Sequence, residues 1–235
     1  MSRSIRIHRT GGPEVLALER GTPAPPDAGE DRVRQAAVGL NYIDTYHRSG
    51  LYPLPQLPSG LGVEGAGTVE AVGEGVDDVA VGDRVAYVTS TPGTYADHVL
   101  VPAGITVPLP PEIDAPTAAA LLLKGMTAEF LLHRVHRVQE GDTILVHAAS
   151  GGVGSLLCQW GRALGAVVIG TVGSEAKLEI ARASGCSHPV LYREEDFVAR
   201  VMALTDGRGA NVVYDAVGRD TFMRSFQALA VRGHL

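Results

Sequence analysis

Apolar positions follow two different rhythms along the chain. From residue 1 to about 123, short Val-rich runs alternate with glycine and proline punctuation, as in GGPEVL (11–16), TPAPPDAGE (22–30), PSGLGVEGAGTVEAVGEGV (58–76) and VGDRVAYV (81–88). Runs this short, bounded by turn residues, predict the strands of an all-β or barrel-like unit with few helices. After about residue 124 strands and helices alternate. TILVHAA (143–149) is a short apolar run, followed by glycines and a helical stripe at Val153, Leu156, Leu157, Trp160 and Leu164, with Gly165 as the stop. Next come VVIGTV (167–172), a helix from about Ser174 to Ser184, PVLY (189–192), a helix from about Arg193 to Leu204, NVVYDAV (211–217) and a last helix from about Asp220 to Val231. Strands alternating with helices of ten or more residues imply right-handed crossovers and a parallel sheet. Four such strands are legible, and the chain stops where a fifth would begin. The reading is therefore two domains, 1–123 and 124–235.

Composition narrows the class. The 235 residues amount to roughly one and a half domains at about 150 residues each. Hydrophobic residues at 45% and charged residues at 20% provide for a buried core and argue against disorder. With 26 acidic and 20 basic residues and no basic cluster, the net charge of −6 argues against a nucleic-acid footprint. Cys158 and Cys186 have no neighbours at metal-ligand spacing, which excludes a disulfide framework or a cysteine-rich zinc site and favours a reducing compartment. The N-terminus lacks a signal-peptide core, and no run of eighteen apolar residues occurs, so a cytoplasmic protein without a membrane span is expected. Eighteen of the 20 basic residues are Arg; the lysines are Lys124 and Lys177.

The turn AASGGVG (148–154), between the first parallel strand and its helix, has the composition of a dinucleotide site. Glycine lets the backbone approach a pyrophosphate, and the helix N-terminus supplies donors and positive potential. The turn departs from GxGxxG, since Leu157 stands where the last glycine would be. An NAD site places a carboxylate about 20 residues after the glycines. Counting from Gly151 reaches Thr171, followed by Val172, Gly173 and Ser174, none of them acidic. Lys177 lies one helical turn beyond Ser174, so a hydroxyl and an ammonium can meet a 2′-phosphate. NADPH is the expected cofactor.

GDTILVHAASGGVGSLLCQWGR (141–162) resembles the quinone oxidoreductase signature of the medium-chain dehydrogenase/reductase superfamily. The resemblance continues through GLNYIDTYHRSGLYP (39–53), LPSGLGVEGAG (57–67), VGDRVAY (81–87), LLKGMTAEFLL (122–132), GTVGSEAK (170–177), YREEDF (192–197) and VVYDAVGRD (212–220). These segments are similar to zinc-independent, zeta-crystallin-like NADPH:quinone reductases. The fold so implied is α/β: a GroES-like β-barrel domain followed by a Rossmann doubly wound parallel sheet, here truncated after its fourth strand. Zinc alcohol dehydrogenases of the superfamily carry a Cys near position 41 and a Gly-His-Glu around 60–65; this chain has Asn41 and Gly62-Val63-Glu64, so no catalytic metal is expected. His133 and His136, flanked by arginines, read as a solvated helix face. No Ser-His-Asp set is recognisable.

The resemblance implies that Asn41, Tyr42, Asp44 and Tyr46 contact the nicotinamide end of the cofactor, that Tyr52, Lys124 and Thr127 line the cleft, and that Phe130, also expected to bind the cofactor, lies nearby. It places Gly151, Gly152 and Val153 at the pyrophosphate, Gly173, Ser174 and Lys177 at the 2′-phosphate, Tyr192 at the adenosine end and Val217 close to the cofactor. Asn41, Tyr46 and Tyr52 are the candidate catalytic residues. The implied reaction is metal-free hydride transfer from NADPH to a quinone or another electron-poor acceptor. Reduction of activated C=C bonds is the alternative, and a nucleotide- or RNA-binding crystallin-like role is the reading of another class. Family members tend to be homodimers. The chain is expected to be a fragment whose strand 211–217 forms an exposed, aggregation-prone sheet edge.

Overall fold

The structure, a computed structural model, describes residues 1–235. Its contacts divide into two compact units, Met1–Leu123 and Lys124–Leu235. The first contains β1 (Ser2–Ile7), β2 (Ala17–Gly21), β3 (Glu30–Val38), helix α1 (Tyr42–Ser49), β4 (Ser59–Gly60), β5 (Glu64–Val72), β6 (Arg84–Val88), β7 (His98–Pro102) and β8 (Thr106–Pro108). Two antiparallel sheets result, ordered β7-β3-β5-β6-β8 and β2-β1-β4. Val33, Val69, Val85, Val101 and Tyr87 fill the core of the larger sheet. The β3–β5 pairing shifts register twice. Such irregularities bend a sheet towards barrel curvature. Gly67 permits one close approach, because a Cβ there would stand 2.1 Å from the Arg34 carbonyl oxygen.

Helix α2 (Ala115–Glu129) carries the division between the units. Ala118 and Ala119 lie in a core cluster of the first unit, and Ala128 in the core of the second. The helix widens to a π-helical turn over Phe130–Val135. Ala115–Val135 is long and apolar enough to cross a membrane by length and composition alone. Ala118, Ala119, Ala128 and Leu132 are its buried residues.

The second unit alternates β9 (Thr143–Val146), α3 (Gly152–Ala163), β10 (Val167–Val172), α4 (Ala176–Ala183), β11 (His188–Leu191), α5 (Phe197–Leu204), β12 (Ala210–Tyr214), α6 (Phe222–Gln227) and β13 (Leu229–His234). All pairings are parallel, in the order β11-β10-β9-β12-β13. Neighbouring residues face opposite layers: Ile144, Val168 and Val212 belong to the core with α3, while Leu145, Ile169 and Val213 pack with Phe197 and Val201 of α5. This is the doubly wound Rossmann arrangement.

Several expectations are corrected. A fifth parallel strand, β13, is present, and the helix expected over 220–231 is the six-residue α6. The Ala210 N–H donates to the Ala228 carbonyl at 2.8 Å, drawing the chain alongside β12. Gly209 admits it, since a Cβ there would lie 2.5 Å from the Leu229 carbonyl carbon. Strand 211–217 is accordingly no edge: its strand part, within β12, pairs with β9 on one side and β13 on the other. His133 and His136 also share no helix face. His133 meets Trp160 edge-on, ring centroids 5.2 Å apart, while extended backbone at His136 ends the π turn.

Candidate functional site

In the first unit, Asn41 begins α1 and its backbone N–H donates to the Asp44 carboxylate at 2.8 Å, one half of a capping box. The same carboxylate oxygen accepts from the Tyr95 hydroxyl at 2.7 Å, so a buried acid holds the start of the helix to the strand region behind it. Burial, followed by this bond to an anion, pushes the Tyr95 phenol up. The side-chain amide of Asn41 is directed elsewhere, donating to Glu64 at 2.8 Å. Glu64 is fully buried and also accepts the Leu123 N–H at 2.7 Å. Gly39 accommodates it, since a Cβ there would sit 2.2 Å from the carboxylate.

Helical spacing of four residues puts Tyr42 and Tyr46 on one face of α1, with ring centroids 5.8 Å apart. Gly50, at φ 83°, ends the helix, and the Tyr52 N–H returns to the Tyr46 carbonyl at 3.2 Å. The Tyr46 and Tyr52 rings then lie 5.2 Å apart. The result is a row of three phenols, of which Tyr42 is 79% and Tyr52 49% exposed. Such a row presents flat apolar surface with hydrogen-bonding tips.

In the second unit, Gly151 caps α3 without a side chain and leaves the first-turn N–H groups open. Gly152 lies under the stem of Lys124, whose Cδ would be 2.8 Å from a Cβ. Gly154 performs the close packing expected of the glycine missing at Leu157: its Cβ would stand 2.3 Å from the Ala148 carbonyl oxygen. The buried face of α3 is correspondingly Gly154, Leu157, Cys158 and Gly161, with Trp160 at its exposed margin. Small residues set the helix–strand distance here; of the predicted apolar stripe Leu157 is buried among them, and Val153, Leu156 and Leu164 pack partly buried against the same core.

At the end of β10, Gly173 faces the Tyr192 ring, 3.6 Å from where a Cβ would be. The Tyr192 N–H bonds the Val172 carbonyl at 3.3 Å, and the Lys177 N–H bonds the Ser174 carbonyl at 3.0 Å. No acid occupies Val172, Gly173 or Ser174, and Glu175 is exposed. A glycine cradle under a lysine, open N–H groups and this strand end fit a dinucleotide with a 2′-phosphate.

The structure therefore brings Asn41, Tyr42, Tyr46 and Tyr52 together in one unit. In the other it joins Lys124 to the Gly151-Gly152-Val153 turn, and Gly173 and Ser174 to Lys177 and Tyr192. Thr127 follows Lys124 by one turn on α2, and Phe130 opens the π turn, half exposed. Val217 stands apart in the loop after β12, its N–H bonded to Asp215 at 2.9 Å.

Sequence reasoning missed Glu64, whose signal was an acid inside the glycine-rich apolar run GVEGAG. It also missed a buried Ser-His-Asp set. His147 Nε2 lies 3.0 Å from Ser225 Oγ and its Nδ1 2.8 Å from Thr171 Oγ1, while Ser225 donates to Asp215 at 2.8 Å. Serine stands between His and Asp, and His147 is 2% exposed, so this is no nucleophile arrangement. Burial pushes the His147 imidazole below its ordinary pKa, against the pull of Asp215. Burial raises Asp215, but bonds from the Gly218 N–H, Ser225 and Thr221 outweigh it and leave the carboxyl below its usual range. A neutral His147 donating from Nε2 to Ser225 and accepting at Nδ1 from Thr171 satisfies every group. The Asp215 carboxylate in turn fixes the Val217 and Gly218 N–H groups.

This geometry defines a two-part dehydrogenase, with a GroES-like β unit and a Rossmann unit carrying the glycine turn. Residues 27–111 match the family described as Alcohol dehydrogenase GroES-like domain, and residues 152–235 the one described as Zinc-binding dehydrogenase. The chain is 51% identical to a quinone oxidoreductase of Pseudomonas aeruginosa, over its whole length and 72% of the relative. It is 44% identical to a 2-haloacrylate reductase of a Burkholderia species, over 97% of the chain and 70% of that protein. The crystal structure of Escherichia coli quinone oxidoreductase complexed with NADPH superposes with a TM-score of 0.96 at 47% identity, covering 99% of this chain and 71% of that one. The chain belongs to the quinone oxidoreductase family of the medium-chain dehydrogenase/reductase superfamily.

Proposed function

We propose that this protein is an NADPH-dependent quinone reductase. The observation that carries the reading is the row of Tyr42, Tyr46 and Tyr52, exposed at both ends, beside an Asn41 amide anchored on Glu64. A planar, electron-poor acceptor needs a flat surface and weak hydrogen-bond donors, and this row offers both. NADPH supplies the hydride when bound. The Gly151-Gly152-Val153 turn holds the pyrophosphate on the α3 N-terminus, with Lys124 above it and Thr127 and Phe130 further along the same helix. Gly173, Ser174 and Lys177 take the 2′-phosphate, Tyr192 the adenosine end, and Val217 lies near the nicotinamide half. Asn41 orients the reacting ring, and the Tyr46 and Tyr52 hydroxyls place the quinone and relay a proton from solvent to its oxygen. Asp44 acts as a positioning residue, its carboxylate turned inward to Tyr95 and the Asn41 N–H. The cysteine and histidine that the superfamily's zinc enzymes carry are replaced here by Asn41 and Val63, and Asn41 binds Glu64 instead, so the proposed chemistry needs no metal.

Stopped-flow mixing of the protein with NADPH and 1,4-benzoquinone tests this. Loss of nicotinamide absorbance well above the uncatalysed rate, and faster than with NADH, is expected; a rate equal to the uncatalysed one refutes the reading. The relatedness to a 2-haloacrylate reductase favours a second substrate class, activated alkenes, which 2-chloroacrylate examines in the same assay. A cytoplasmic location and a homodimeric assembly belong to the proposal, as does the absence of nucleic-acid binding, in keeping with the net charge of −6.

A further inference from the structure

The parallel pairing of β10 with β11 aligns Val172 with Leu191, so the two strands end side by side. Gly173-Ser174 leaves one strand and Tyr192-Arg193 the other. Arg193 Nε lies 3.9 Å from where a Gly173 Cβ would stand, on the same side as the Tyr192 ring. Three acids follow Arg193 in sequence, yet none forms an ion pair with it. Glu195 accepts the Leu191 N–H at 3.1 Å, and Asp196 caps α5 and pairs with Arg224. Arg182, on α4, pairs with Glu179. Two cations without a carboxylate partner, Lys177 and Arg193, therefore flank the one strand end that lacks the acid of an NAD site.

We infer that Arg193 is the second cation of the 2′-phosphate subsite and, together with Lys177, sets the preference for NADPH over NADH. The inference rests on the NADPH reading above. Lysine provides a point charge, whereas the guanidinium fork binds two phosphate oxygens at once and its plane can lie along an adenine. A phosphate monoester carries nearly two negative charges at neutral pH, which a single ammonium leaves half compensated.

Calorimetric titration of the full chain with 2′,5′-ADP and with 5′-ADP tests the assignment without turnover. Arg193→Gln is expected to weaken 2′,5′-ADP about tenfold, the worth of one charge-assisted hydrogen-bonded contact, and to leave 5′-ADP unchanged. Arg193→Lys should restore part of the loss. Equal weakening of both nucleotides by Arg193→Gln, or an unchanged 2′,5′-ADP affinity where Lys177→Gln weakens it, overturns the role of Arg193. A wild-type chain that binds the two nucleotides equally overturns the NADPH reading itself. Since Arg193 is exposed, an unchanged thermal midpoint of the ligand-free variant is expected and confirms that the fold is intact.

Discussion

The two halves of the candidate site are built by opposite means. In the Rossmann unit the working surface is made by side chains that are absent: Gly151 and Gly152 expose backbone, and Gly154 lets α3 approach the strand end. In the β unit the surface is made by side chains held from behind, with the buried Asp44 of α1 and the buried Glu64 of β5 fixing Asn41 beside the tyrosine row. A surface made of backbone tolerates almost no added atom. One made of anchored side chains depends on its buried anchors.

The largest effect expected from this contrast is at Gly154. An added Cβ would meet backbone, at 2.3 Å from the Ala148 oxygen and 3.0 Å from Ala149 Cα, and no rotamer change can relieve it. Gly154→Ala should cost about 3 kcal/mol of stability in chemical denaturation, the upper range for an overpacked site. Gly125→Ala, in helix α2 with nothing within 4 Å of its Cβ, should instead gain about 1 kcal/mol. If the two substitutions behave alike, close approach is not what the glycine turn is for.

The same contrast explains what could be read from sequence. The glycine turn was legible because absence has a signature: only a few residue types fit a close approach, and they recur at fixed offsets from a strand. Lys124 and Lys177 stood out among eighteen arginines. The row of tyrosines was reached through resemblance, since tyrosine at helical spacing is common in half-buried faces. Glu64 and His147 could not be assigned roles, because a buried polar residue is explained only by its partners. Those partners lie far away in sequence: Asn41 and Leu123 for Glu64, Thr171 and Ser225 for His147. β13 escaped for a related reason. Its strand conformation is set by pairing with β12, and the local pattern of residues 220–231 suits a helix equally well.

Next in size is the anchor of the β unit. Glu64→Ala removes the acceptor of both the Asn41 amide and the Leu123 N–H, and should cost about 2 kcal/mol, the penalty of leaving buried donors unpaired. Glu64→Gln retains one carbonyl acceptor and should lose less. Quinone kcat/KM should fall with both, while 2′,5′-ADP affinity, read by calorimetry, should not move. Loss of nucleotide binding in Glu64→Gln would mean that the anchor serves more than the acceptor-side residues.

The smallest expected effect sharpens the contrast, because the Rossmann unit also contains an anchored element, the His147 set behind the Val217-Gly218 turn. Burial lowers the pKa of His147 in the folded state relative to about 6.5 in the unfolded chain. Between those two values the unfolded chain binds a proton that the folded one does not, so stability rises with pH across that window and is lost as pH falls below about 6.5. The slope for one proton is at most about 1.4 kcal/mol per pH unit. Denaturation of the wild type between pH 8 and 5.5 should show a plateau followed by this decline, before most carboxylates begin to titrate. In His147→Gln, whose amide can serve Thr171 and Ser225 without titrating, the decline should be absent. An unchanged decline in that variant would assign the acid sensitivity to other groups and leave the Rossmann surface as backbone geometry alone.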